Sequence, residues 1–88
     1  MSTIESLQQK SAAILKSRAQ SRGPAEKLYE GLAQRWSQIT GVKITAEQTC
    51  LMLADMKICR EIYGSPDEDN VIDLVNYAYL YADLTGRK

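Results

Sequence analysis

The chain contains no histidine. That removes the side chain that titrates near neutral pH, and with it the commonest general base, the His-paired serine and cysteine nucleophiles, and most catalytic zinc sites. Cysteine is scarce: there are two in 88 residues. Cys50 and Cys59 fall on one expected helix, about 180° apart around its axis, and cannot bridge within it. Both read as free thiols packed in an apolar interior rather than as redox or metal groups. No apolar run approaches the roughly 20 residues needed to cross a bilayer. The opening Met1-Ser2-Thr3-Ile4-Glu5 has neither the basic nor the apolar region of a secretory signal, so a cytoplasmic protein without membrane attachment is expected. Net charge is zero, with 11 basic and 11 acidic residues. General nucleic-acid binding depends on clustered Lys and Arg and is not expected. The acidic groups lie mostly in the second half of the chain, which either steers head-to-tail association or has no consequence. There is no GxGxxG, P-loop, H-E-x-x-H or zinc pattern, and no internal repeat or low-complexity tract.

What is present is helical periodicity. A chain of this length forms one domain, and it buries only about 60–65% of its unfolded surface, so its core is thin and oligomerisation is a common remedy. The fold expected is all-α: a small four-helix domain around a central helical hairpin, oligomeric, with residues 1–20 as a peripheral helix and 24–85 as the compact part.

A first helix is expected over residues 3–18, with Ile4, Leu7, Ser11, Ile14, Leu15 and Arg18 at helical spacing. So narrow a stripe suits a single partner helix, from this domain or from another subunit. Gln20-Ser21-Arg22-Gly23 reads as a loop. Pro24 suits the first turn of a second helix, which runs to about Thr40 with Leu28, Tyr29, Leu32, Ala33, Trp36 and Ile39 as its apolar stripe and Trp36 as a core anchor. Gly41 suits a left-handed stop. Thr45-Ala46-Glu47-Gln48 is a capping box, and Ile44 before it is placed as a hydrophobic staple. The third helix is apolar around most of its circumference, which marks it as the central one, with Lys57, Arg60 and Glu61 on its one wet edge. Asp55 falls among the apolar positions and calls for a basic partner, a subunit interface or a less buried helix. Gly64-Ser65-Pro66 turns the chain, Asp67 or Asp69 caps a fourth helix, and that helix runs to about Leu84. Its core face is read as Val71, Leu74, Val75, Ala78 and Ala82. Arg87-Lys88 is a short basic tail.

Asp69, Asp73, Asn76 and Tyr77 share one stripe of the fourth helix, opposite that core face. Leu80 and Leu84 extend the stripe, so another helix or a second subunit is expected to cover it. If this stripe meets the edge of the third helix, Asp73 orients Lys57 or Arg60 through charge-assisted hydrogen bonds. Two readings follow. In one, Lys57 and Arg60 hold a phosphate and Tyr77 or Tyr79 stacks on a base. In the other, the same groups are a structural ion-pair network.

Trp36, Gly41-Val42-Lys43-Ile44-Thr45, Met52 with Lys57-Ile58-Cys59-Arg60, and the run from Asp69 to Ala78 resemble a family of small phage and prophage proteins of unknown function. That family's pattern is W, then I-T, then K-x-x-R, then D-N-x-x-D-x-x-x-Y. The likeness covers residues 22–84 and departs at Asn76, where the family has Gly, and at Asp55, where it has an apolar residue. It implies an all-α accessory protein of the host cytoplasm and supplies no activity. A more distant likeness is to the all-α nucleotide pyrophosphohydrolases of the MazG type, which hold Mg²⁺ on two carboxylate pairs. The corresponding pairs here would be Glu26 with Glu30 and Asp69 with Asp73, spaced i, i+4 rather than i, i+3.

Three functions are compatible with these residues. The first is a non-enzymatic binder of a nucleotide-like anion, with Lys57, Arg60, Asp73, Asn76 and Tyr77 as contacts and no cofactor, able to sequester a host signalling nucleotide. The second is a Mg²⁺-dependent pyrophosphohydrolase using Glu26, Glu30, Asp69 and Asp73. The third is an interaction module or inhibitor of a host protein.

Overall fold

The computed structural model describes residues 3–86. Four helices follow one another: α1 (Ile4–Arg22), α2 (Ala25–Thr40), α3 (Ala46–Tyr63) and α4 (Glu68–Leu84). There is no strand among the described residues. The α3–α4 hairpin is the largest packing unit, α2 lies against α3, and α1 packs on α4. Met1, Ser2 and the basic tail Arg87-Lys88 lie outside the described residues.

The helix ends follow local chemistry. Thr3 caps α1, its hydroxyl accepting from the Ser6 N–H at 3.0 Å. The helix runs past Arg18 to Arg22, so the expected loop is already helical. The first residue that breaks it is Gly23, at φ 76°, a conformation that costs only glycine nothing. Pro24 sits one position earlier than expected, as the N-cap of α2 rather than its first helical residue. Gly41 is left-handed and its N–H donates to the Ser37 carbonyl at 2.9 Å. Thr45 and Gln48 form the reciprocal capping box, at 3.3 and 2.8 Å. Ser37 ties the α2–α3 connection together, accepting from the Ile44 N–H at 2.8 Å and donating to the Ala33 carbonyl at 2.6 Å.

The α3–α4 turn is tight. A Cβ on Gly64 would stand 2.8 Å from the Arg60 carbonyl oxygen, so this position has room only for glycine. Buried Asn70 clasps the turn, its Nδ2 donating to the Ser65 carbonyl at 3.3 Å and to Glu61 Oε1 at 3.4 Å. Asp67 is the N-cap of α4 and accepts from the Asp69 N–H at 3.1 Å.

Three expectations about burial are corrected. On α3 only Thr49, Cys50 and Lys57 are buried, while Leu51, Met52, Met56, Ile58 and Ile62 are exposed. Asp55 lies on that exposed side and faces water, so it needs no buried partner. Cys59 is likewise exposed, and only Cys50 is enclosed. On α4 the buried residues are Asn70, Ile72, Asp73 and Asn76, and the expected core residues Val71 and Ala78 are exposed. The reason is α1, which covers the stripe read as lying opposite the core. On α2 the buried residues are Tyr29 and Ala33, with Trp36 half-buried and Leu28 and Ile39 exposed.

Candidate functional site

The polar stripe of α4 becomes an enclosed cluster because polar residues of two other helices meet it. Ser11 and Arg18 are seven residues apart on α1 and so share a face. Ser11 Oγ donates to Asn76 Oδ1 at 2.5 Å, and Asn76 Nδ2 returns a hydrogen bond to the Ser11 carbonyl at 3.3 Å. Both residues are 3% exposed, so each satisfies the other where water does not reach. Arg18 Nη1 reaches Asp73 Oδ1 at 3.3 Å, and Lys57 Nζ reaches Asp73 Oδ2 at 2.8 Å. Lys57 and Asp73 are each 9% exposed. One carboxylate thus holds two cations, and the trio carries one net positive charge. Next to Ser11 on α1, Lys10 Nζ meets Glu68 Oε1 at 2.6 Å, an exposed contact that stabilises little.

Beside the trio lies a groove of about 350 Å³ lined by all four helices. Its walls are aliphatic: Leu15 and Ala19 from α1, Leu28 and Leu32 from α2, Leu53 from α3 and Leu80 from α4. Its polar groups are Arg18, Arg22, Tyr29, Asn76 and Tyr77. No carboxylate lines it, so two guanidiniums supply its charge. Burial pushes the Tyr29 phenol up to about 12, with the Cys50 thiol and the Tyr77 phenol adding to the effect and Arg18 and Arg22 opposing it. Tyr29 therefore stays protonated over the physiological range, with a hydroxyl able to donate. Burial likewise raises Cys50, to about 11, which keeps it an inert thiol.

On the far side of Arg18 is a shallower hollow lined by Ile14, Ser17, Asp69 and Asp73. Arg18 is thus the partition between an acidic hollow and a basic groove.

The expected site residues divide. Lys57, Asp73, Asn76 and Tyr77 do come together around the α3–α4 hairpin. Lys57 is not on a wet edge; it is buried and committed to Asp73, so its positive charge is already answered. Arg60 is exposed and enters no ion pair among the described residues. It lines neither the groove nor the hollow. Glu26 and Glu30 are exposed on α2. They do not join Asp69 and Asp73: no three acidic or thiol groups converge among the described residues. Both oxygens of Asp73 are occupied by cations. The four carboxylates therefore do not fit a Mg²⁺ site, which needs several oxygens around one point.

Arg18, Arg22 and Tyr29 are the groove residues that sequence reasoning passed over. For Arg18 a signal was present, since an arginine and a serine interrupt the apolar stripe of α1 just as Asp73 and Asn76 interrupt α4. Arg22 carried none, because it fell in a stretch read as loop.

No helix among the described residues is long and apolar enough to cross a membrane. Comparison with curated proteins and with solved structures yields no match. Over residues 5–85, nearly its whole length, the sequence matches the model of a domain of unknown function, DUF6378, and the chain belongs to that family.

Proposed function

We propose that this protein binds a small anionic ligand of the nucleotide kind in the four-helix groove, holding it without transforming it. The observation that carries this reading is the pairing of two arginines with an apolar, tyrosine-bearing groove that no carboxylate lines. Small-molecule sites are mostly apolar clefts of about 300–1,000 Å³ with a few polar groups that orient the ligand, and this groove falls at the lower end of that range. A phosphate at the mouth would accept from Arg18 and Arg22, whose planar forks suit its oxygens. A flat, apolar ring would lie against the leucines and the faces of Tyr29 and Tyr77. Asp73, itself held by Lys57, would serve to fix Arg18 rather than to contact the ligand. In the phage setting that the sequence resemblance implies, such a protein would withdraw a nucleotide from its host.

Equilibrium dialysis against a nucleoside monophosphate, the unphosphorylated nucleoside and inorganic phosphate tests the reading. The nucleoside monophosphate should bind, and the other two should bind at least tenfold more weakly, because each supplies only half of the recognition. Arg22 enters no ion pair among the described residues, so Arg22→Gln should weaken binding about 10- to 100-fold, the worth of one charge-assisted hydrogen bond. Equal binding by wild type and Arg22→Gln would contradict the assignment.

A further inference from the structure

The arginines of the groove belong to α1, the least tightly packed of the four helices. Among the residues of α1 only Ser11 is buried, and it is polar. Its inward aliphatic residues Leu7, Ile14 and Leu15 are half-buried. The buried apolar core is Tyr29, Ala33, Cys50 and Ile72, all from α2, α3 and α4. Polar contacts hold α1 on α4: Ser11 with Asn76, Arg18 with Asp73 and, at an exposed position, Lys10 with Glu68. Each of these is exchanged for a contact with water when α1 leaves, so its net worth is small. Undocking α1 strands no buried charge either. Asp73 keeps Lys57 at 2.8 Å, Arg18 passes into water, and Asn76 exchanges Ser11 for solvent.

A pivot for such a movement is present. Gly23 and Pro24 are the two residues between the end of α1 and the start of α2. Gly23 has φ 76° and ψ −166°, a region essentially closed to other residues. Nothing lies within 4 Å of where its Cβ would stand. Glycine is therefore required here by the backbone turn that lays α1 on α4, and not by packing.

We infer that α1 is a hinged cover, which swings on Gly23-Pro24 and assembles the anion groove when it docks on α4. The inference rests on the groove reading and adds how that site is regulated. Leu15, Arg18, Ala19 and Arg22 all reach the groove from α1. With α1 away, Tyr29 and Tyr77 remain beside the leucines of α2, α3 and α4, and no guanidinium is left. The open form cannot hold the anion, so a bound anion draws the chain to the closed form.

Amide hydrogen exchange of the full chain, read by mass spectrometry, tests this. In the ligand-free protein the central amides of α1 should exchange at least about tenfold faster than those of α3 and α4, because a detached helix of this length is marginal in water. Gly23→Ala should speed α1 exchange by a further factor of roughly ten and leave α3 and α4 unchanged. A nucleoside monophosphate at about ten times its dissociation constant should slow α1 exchange about elevenfold. Ligand-free exchange of α1 at the rate of α3 and α4 overturns the inference. So does a Gly23→Ala variant in which all four helices loosen together, or a monophosphate that binds in dialysis yet leaves α1 exchange unchanged. A monophosphate that does not bind overturns the groove reading instead, while the ligand-free exchange pattern decides the hinge by itself.

Discussion

At the scale of single residues, the molecule is defined by what Asp73 does. Lys57 is buried, and a buried ammonium without a counter-charge is among the most costly groups a small domain can hold. Asp73 answers it at 2.8 Å. Removing only the carboxylate, in Asp73→Ala, should therefore cost about 3–5 kcal/mol, the usual penalty for stranding one partner of a buried pair. Replacing both, in Lys57→Met with Asp73→Leu, should recover most of that loss. Urea denaturation of the two variants measures both effects, and a cost below about 1 kcal/mol for Asp73→Ala would place Lys57 in water. Tyr29 and Cys50 give a second residue-scale prediction. In the unfolded chain they ionise near 10.0 and 9.0, and in the fold at about 12 and about 11. Between pH 9 and 12 the folded chain retains protons that the unfolded chain has released, so stability present below pH 9 is lost as pH rises through that window. The denaturation midpoint should fall steadily there. Tyr29→Phe, which removes one titration and keeps the ring, should flatten the upper part of the decline.

At the scale of elements, ends and faces were legible to different degrees. Ends are local. Thr45-Ala46-Glu47-Gln48 and Gly41 act through neighbours within four residues, and each does in the structure what its spacing implied. Thr45→Ala should accordingly lower stability by about 0.5–2 kcal/mol, the range for losing an N-cap hydroxyl, measurable by thermal denaturation. Faces depend on what a helix meets, and there the pattern of α4 misled. Val71 and Ala78 read as core because they are apolar, yet the stripe that is buried carries Asn70, Asp73 and Asn76. Periodicity marks a stripe by hydropathy, and a polar stripe matched by another polar stripe escapes it. Ser11 and Arg18 on α1 were the match, but no spacing within either helix shows that two segments some sixty residues apart pack together. The same blindness applied to α3, where an apolar circumference implied a central helix and the structure leaves one side of it uncovered. The site residues followed this division. Lys57, Asp73, Asn76 and Tyr77 could be placed near one another from the sequence because they sit on the hairpin. Arg18, Arg22 and Tyr29 were missed because they reach the groove from the other two helices.

At the scale of the whole molecule, one chain presents two unlike surfaces. On one side α1 closes over the polar stripe and leaves a basic groove at its edge. On the other, α3 presents an apolar face with a single carboxylate. The proposed anion site lies on the first of these, at Arg18 and Arg22 rather than at Lys57 and Arg60. The measurement that tests it most directly is a backbone amide chemical-shift map recorded while a nucleoside monophosphate is titrated into the protein. Shifts should saturate together at Arg18, Arg22, Tyr29 and Tyr77, with the Arg60 turn of α3 unmoved. Shifts centred on Arg60, or none in the groove at saturating ligand, would contradict it.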